Sequence, residues 1–218
     1  MYKERIRSYV KREGRITQGQ KRALTELWPL YGLELEQKIL DPVILFKEKN
    51  PVCMEIGFGN GEALIEMALK NNKLNFLGVE VYRSGIGQTL KLLEKHKLQN
   101  VKIVAGDAHI ILKENILENT LQNLLIFFPD PWPKKKHHKR RLIKESFIAL
   151  AGQKIKVGGN LHIATDWSPY AKNINTIMND KSDFISIKNY LHLRPTTRYE
   201  RRGENLGHKI FDLIFEKT

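Results

Sequence analysis

The residues best able to do chemistry stand at four places in the chain. Glu55-Ile56-Gly57-Phe58-Gly59-Asn60-Gly61 sets three glycines at alternate positions behind an apolar run. Glu80 follows 19 residues after Gly61, and Asp107 stands within Gly106-Asp107-Ala108. Pro129-Asp130-Pro131-Trp132-Pro133 offers one carboxylate and one indole among three prolines. The run from Lys134 to Arg141, Lys-Lys-Lys-His-His-Lys-Arg-Arg, follows at once. A strand, a glycine turn and a helix together cradle a nucleotide cofactor. A dinucleotide fold wants a third glycine at position 62, where this chain has Glu62. A carboxylate at a helix N-terminus repels a diphosphate, so a nucleoside cofactor without phosphate is favoured. S-adenosyl-L-methionine is such a molecule, and its cationic amino and sulfonium groups suit an acid such as Glu55. Glu80 lies where a ribose-binding acid belongs. Asp107 can accept from an adenine amine. Ordinary turn and cap acids would explain each carboxylate separately, but not all of them at the carboxyl edge of one sheet.

The proline-rich segment reads as a stiff loop, because each proline fixes φ and forbids regular structure. A fixed carboxylate, an aromatic face and a cationic run suit a splayed-out base with its backbone held behind it. The plainer reading is a rigid connector with a packed tryptophan. His137 and His138 have no acidic or cysteine partner nearby in sequence, so RNA contact or simple exposure is expected, and no metal.

The net charge of +13 is concentrated in a few segments. Residues 1–22 carry +6, residues 134–141 carry +6 and residues 194–209 carry +3, leaving the rest slightly acidic. Concentrated basicity favours a polyanionic partner. No segment pairs its basic face with a strong apolar face, so nucleic acid is preferred over a membrane surface. The 218 residues, 41% hydrophobic and 28% charged, are ordinary globular composition for one domain with a small extension. Neither a membrane-length apolar stretch nor a signal peptide is seen. The single cysteine, Cys53, sits in an apolar run and reads as a buried, inert thiol. A soluble protein of a reducing cytoplasm is expected.

The elements that must position these groups follow from periodicity. Residues 17–30 read as a short helix ended at Pro29, with Trp28 as core. Strands are expected at 51–56, 75–81, 101–104, 121–128 and 160–164. Helices are expected at 62–71, 84–97, 141–154 and 168–178, with two β-rich runs at 184–190 and 208–215. Strands alternating with helices imply an α/β fold, a parallel sheet covered on both faces. Asp166 or Ser168 reads equally as the cap of the helix from 168.

Several segments together resemble the bacterial tRNA (guanine-N7-)-methyltransferase family. They are Arg5-Ile6-Arg7-Ser8-Tyr9-Val10, the glycine run from Glu55, Gly78-Val79-Glu80-Val81, Phe127 through Arg141, Ala164-Thr165-Asp166-Trp167, and Arg194-Pro195 through Asp212-Leu213. The proline–tryptophan block and Thr197-Arg198-Tyr199-Glu200 with Arg202-Gly203 are far more specific than the glycine turn. The resemblance implies a Rossmann-like class I methyltransferase: a mostly parallel seven-stranded sheet, helices on both faces and a reversed last strand. It implies residues 1–50 as a basic N-terminal extension and helix, and 51–218 as the methyltransferase domain. It implies methylation of guanine at tRNA position 46, in the variable loop. By matching motif, Glu55, Gly57, Gly59, Gly61, Glu80, Asp107, Ala108 and Asp130 would surround S-adenosyl-L-methionine, with Asp130 also catalytic. Lys134, Asp166, Thr197, Arg198, Tyr199 and Glu200 would contact the target nucleoside. Lys136, His137, His138, Lys139, Arg140 and Arg141 would hold RNA. Arg198 stands where the family usually has lysine. The expected assembly is a monomer or a homodimer on tRNA, without membrane or metal.

Guanine N7 carries no proton at neutral pH and is an in-plane acceptor. Attack on a methyl group therefore needs alignment rather than a base, and Asp130 is expected to orient the guanine. Two other readings stand beside this one: a methyltransferase with the same cofactor on another RNA, and a non-catalytic RNA-binding protein on the same fold.

Overall fold

The computed structural model describes residues 6–10, 14–35, 39–188 and 193–218, without the side chains of Arg198, Tyr199 and Glu204. Chain order begins with α1 (Gln18–Glu26), α2 (Trp28–Tyr31) and a two-residue strand β1 (Gly32–Leu33). Then come β2 (Val52–Ile56), α3 (Glu62–Lys70), β3 (Asn75–Glu80), α4 (Arg83–His96), β4 (Val101–Ala105) and α5 (Ala108–Asn115). The second half holds β5 (Leu121–Phe127), α6 (Glu145–Lys154), β6 (Ile155–Thr165), α7 (Ser168–Asn179), β7 (Phe184–Ser186), α8 (Arg198–Asn205) and β8 (Phe211–Lys217). Short 3-10 turns occupy Pro42–Leu45 and Lys135–Arg140.

All the strands among the described residues join one sheet in the order β1-β4-β3-β2-β5-β6-β8-β7. Every pairing from β1 to β6 is parallel, and β8 runs antiparallel to both β6 and β7. The reversed last strand is therefore present. The eighth strand beyond the expected seven is β1, which covers the edge of β4 through Gly32↔Ile103 and Leu33↔Val104. Hydrophobic residues on β2 alternate between two cores. Cys53 packs with Leu64, Ile86 and Leu90 of α3 and α4, while Met54 and Ile56 pack with Phe147, Tyr170 and Ile174 of α6 and α7. A strand buried on both faces needs apolar side chains at successive positions, and β2 is buried throughout. Cys53 is buried, and burial pushes its thiol up to about 12, so it is inert.

Several boundaries differ from the sequence reading for physical reasons. Pro29 does not end a helix; it sits in the first turn of α2, where its missing N–H costs nothing. The helix expected from 141 begins at Glu145, because the backbone is still extended at Lys144, with φ −143° and ψ 165°. Strand β6 starts at Ile155 and passes a left-handed Gly158. Helix α5 lies outside the elements that periodicity predicts; Asp107 caps it, accepting from His109 N at 3.0 Å and Ile110 N at 3.4 Å. The run expected at 184–190 is a strand only over Phe184–Ser186, and residues 189 and 190 lie outside the described ones.

The connection after β2 leads outward to β3 and β4, and the chain then returns to place β5 on the other side of β2. The carboxyl ends of β2 and β5 thus flank the point where strand order reverses. In open α/β sheets a crevice for ligands forms at such a point.

Candidate active site

The three glycines after β2 all adopt left-handed φ: 77° at Gly57, 57° at Gly59 and 80° at Gly61. They serve two purposes. A Cβ on Gly57 or Gly59 would meet nothing within 4 Å, so these two leave open space in the crevice. A Cβ on Gly61 would fall 2.3 Å from Thr89 Oγ1, so this glycine lets the loop seat against α4. Gly85 answers from α4, where a Cβ would lie 2.3 Å from the Gly59 carbonyl oxygen.

Two carboxylates lie beneath this loop. Glu80, at the end of β3, accepts from Gly59 N at 2.9 Å on one oxygen, and from Val81 N at 2.6 Å and Tyr82 N at 3.1 Å on the other. It ties the glycine loop to the next strand. Burial raises its pKa, and those three N–H groups oppose the rise. Glu55 is 2% exposed, and its Oε2 has no hydrogen-bond partner among the described residues. Burial first, and the charge of Glu80 second, push its pKa up to about 8. A buried carboxylate this poorly satisfied is costly unless a cation meets it.

A cavity of about 380 Å³ opens above Glu80, between Gly57, Gly59, Gly106 and Ala108 on one wall and Ile126 to Asp130 on the other. Ser8 and Tyr9 of the N-terminal segment close its mouth. That segment is pinned there, since Tyr82 Oη donates to Val10 O at 2.7 Å and Trp132 Nε1 donates to Ser8 O at 3.1 Å. A second cavity of about 480 Å³ shares Gly57, Gly59, Tyr82, Phe127 and Phe128 with the first. Glu55 lines it from below, and Thr197, Arg201 and Arg202 of the tail line it from above.

Between the two cavities, Phe128 leaves β5 at φ 51°, and Trp132 sits at φ 46°. Non-glycine residues in this region cost on the order of 1–3 kcal/mol each. The pair brackets Pro129-Asp130-Pro131 and turns the loop sharply at both ends. Asp130 is exposed at the mouth of the first cavity. Trp132 is half-buried with its N–H taken by Ser8, His137 meets its ring edge-on at 5.8 Å, and the Arg140 guanidinium lies 5.1 Å over it. The indole is thus already packed, not an open stacking platform.

The basic run is also divided. Lys134, Lys135, Lys136 and Lys139 are exposed on or beside the 3-10 turn, with His137, His138 and Arg140 half-exposed. Partial desolvation first, and then the charges of Lys136, Arg140, Lys134 and Lys139, lower the pKa of His137. Arg141 corrects the sequence expectation. It is 5% exposed and turned inward. Its Nε donates to Pro131 O at 2.9 Å, one Nη donates to Asn173 Oδ1 at 3.1 Å, and the guanidinium stacks 4.7 Å over Tyr170. Its side chain is spent on the proline loop and α7, which leaves little of it open to RNA.

In the tail, Thr197 and Glu200 form a reciprocal capping box at the start of α8. Glu200 N donates to Thr197 Oγ1 at 3.1 Å, and Thr197 N donates to Glu200 Oε2 at 3.2 Å. Glu200 is also paired with Arg194, so its carboxylate is not open to a ligand on all sides. Asp166 pairs with His208 Nδ1 at 3.2 Å and caps no helix; α7 has no side-chain cap. The side chains of Arg198 and Tyr199 lie outside the described residues. Arg194, at the head of the Arg194-Pro195 block, is a further residue of this corner and has no local sequence signal. Among the described residues no cluster of three or more His, Cys, Asp or Glu is placed to hold a metal. No helix among them is long and apolar enough to cross a membrane.

A family model described as "Putative methyltransferase" matches residues 49–213. A tRNA (guanine-N(7)-)-methyltransferase from Nitrosococcus oceani is 44% identical over 98% of this chain and 91% of its own length. One of the same name from Idiomarina loihiensis is 43% identical over 99% and 90%. The chain belongs to the tRNA (guanine-N(7)-)-methyltransferase family. The blocks that resemble the family converge in space, since the glycine loop, the proline–tryptophan loop and the Thr197–Arg202 corner border two adjoining cavities. Solved structures agree on the fold. An rRNA methylase from Streptococcus thermophilus superposes with a TM-score of 0.54 at 15% identity, covering 77% of this chain and 87% of that one. A precorrin-6y C5,15-methyltransferase from Geobacter metallireducens gives 0.53 at 13%, covering 91% and 87%.

Proposed function

We propose that this protein transfers the methyl group of S-adenosyl-L-methionine to N7 of guanine in the variable loop of tRNA, at position 46. The observation that carries this reading is the buried Oε2 of Glu55, unpartnered among the described residues, beneath two glycines that leave the crevice open. A carboxylate in that position fits an ammonium group, and Glu62 at the first turn of α3 opposes a phosphate. The residues therefore fit S-adenosyl-L-methionine better than a dinucleotide. Glu55 would meet its amino group. Glu80 keeps acceptor capacity for a ribose diol beyond the main-chain bonds it already makes. Gly106 and Ala108 would flank the adenine, with Asp107 holding the turn as the α5 cap. Residues 1–50 are read as a basic extension and 51–218 as the methyltransferase domain, with Ser8 and Tyr9 reaching over the cofactor cavity.

The bound cofactor supplies a methyl group on a cationic sulfur. The protein's task is alignment, and positioning of that kind supplies on the order of 7–11 kcal/mol of a barrier. Asp130, on a loop fixed by prolines and strained at both ends, would accept from the N1–H and amino edge of guanine. Its negative charge favours the ring cation that forms. Thr197, which lines the second cavity, would meet the target side, with Lys134, Asp166, Arg198 and Tyr199 as further substrate contacts. Lys136, His137, His138, Lys139 and Arg140 would track the phosphates. N7 is inaccessible in the deep major groove of an A-form duplex, which suits a guanine in a loop. Transfer of labelled methyl to unmodified bulk tRNA, followed by nucleoside mass spectrometry, tests the reading. Seven-methylguanosine as the labelled product supports it, and label in any other nucleoside, or none, overturns it.

A further inference from the structure

The tail carries a charged network that neither the catalytic loop nor the cofactor cavity requires. Arg194 is 6% exposed at its side chain and faces two carboxylates from different elements. Its Nε and one Nη donate to the two oxygens of Asp212 on β8 at 2.7 and 2.6 Å. That same Nη also reaches Glu200 Oε1 at 3.1 Å, and the other Nη pairs with Glu200 Oε2. Asp212 is backed from β6 by His162 Nε2 at 2.7 Å. Burial pushes the Asp212 carboxyl up, but hydrogen bonds from Arg194 and His162 more than offset this and leave it well below the usual range. The guanidinium also lies 6.0 Å from the Phe127 ring centroid and 5.8 Å from that of Phe128, the two residues leading into the Asp130 loop.

Such a network is a poor stabiliser, because desolvating the ions offsets most of their attraction. It does fix geometry. The segment from Leu193 to Thr197 has no helix or strand of its own. Among the described residues, the path His162–Asp212–Arg194–Glu200 ties its far end to the sheet and ends on Thr197 N. Thr197 borders the second cavity beside Phe127 and Phe128. We propose that Arg194 is a positioning residue for the methyl-accepting base: by bridging Asp212 to Glu200 over the Phe127–Phe128 rings, it sets the Thr197 corner against the Asp130 loop. Glu200 accordingly acts mainly as the brace of that corner. This inference rests on the tRNA reading of the same site.

Only a planar fork can serve both carboxylates at once, so lysine keeps the charge but loses the bridge. Arg194→Lys is the main variant because it leaves no carboxylate pair without a cation, and Arg194→Met is the companion. Both are compared with wild type for methyl transfer to unmodified tRNA, and for S-adenosylhomocysteine affinity by calorimetry. Arg194→Lys is expected to lose about tenfold or more in kcat/KM for tRNA, and Arg194→Met on the order of 10²-fold. Cofactor affinity is expected to stay within about twofold in Arg194→Lys, a split that general loss of structure would not produce. Arg194→Lys with wild-type kcat/KM, or with cofactor affinity falling in proportion, overturns the inference while leaving the tRNA reading intact. A wild-type protein that methylates no tRNA overturns both.

Discussion

Around Glu80 the cleft is held by main chain: three backbone N–H groups converge on one carboxylate, and the glycine loop seats directly against α4. Around Asp130 and Thr197 it is held by arginines, Arg141 on the Pro131 carbonyl and Arg194 between Asp212 and Glu200. The first side lies within a parallel sheet whose strand ends fix it. The second is made of loops that the sheet alone does not place, so side chains remote in sequence must do it. The contrast matches the two ligands in the proposed reaction. A small cofactor is bound by a rigid cradle, while a base presented by a large RNA is met by loops set to a required position. The two sides should therefore fail separately.

Asp130 gives the largest expected separation. Asp130→Ala should lower kcat on the order of 10²–10³-fold, with cofactor affinity within about twofold by calorimetry. A parallel collapse of cofactor binding would break the comparison. Glu55→Gln should do the reverse and weaken S-adenosylhomocysteine binding about 10- to 100-fold, the worth of a charge-assisted hydrogen bond. The sign of its pH dependence follows from the raised pKa of about 8. Below that value free Glu55 holds a proton that pairing with an ammonium must expel. Wild-type affinity should rise with pH from 6 toward 8 with proton release, and in Glu55→Gln this rise should vanish. The same group contributes stability that is full below the unfolded carboxyl range and is lost as pH rises through about 8. Without cofactor, Glu55→Gln should therefore melt above wild type at pH 8, by roughly 2–4 °C for each 1 kcal/mol gained.

A smaller and more selective effect is expected along the basic run. Arg141→Met should lower kcat/KM for tRNA by about tenfold, as loss of loop position does, and leave the salt dependence of RNA affinity unchanged. Lys136→Ala should reduce the slope of log affinity against log salt by about 1. Equal salt slopes for the two variants would erase the distinction drawn between them.

The cradle was readable from residues alone, because alternate glycines, strand periodicity and acids at strand ends are local signals. Four features near it were not. Helix α5 is one of them: an Asp ahead of Ile110 and Ile111 is an N-cap signal, and Asp107 starts this helix. Arg141 was hidden in a run of like charges, since composition does not say which member turns inward; its partner Asn173 lies 32 residues away. Arg194 was hidden because its partners, Glu200 and Asp212, meet only when β8 reverses beside β6. Trp132 looked like a free stacking face until Ser8, 124 residues distant, took its N–H. The last three are contacts between residues distant in sequence, and periodicity carries no information about those.

The most direct test uses two tRNA transcripts that differ only at the variable-loop guanine, one retaining it and one carrying adenine. Single-turnover methyl transfer by the wild-type protein, followed by nucleoside analysis, should give 7-methylguanosine in the first and no label in the second. Equal labelling of both transcripts, or label in neither, would contradict the account.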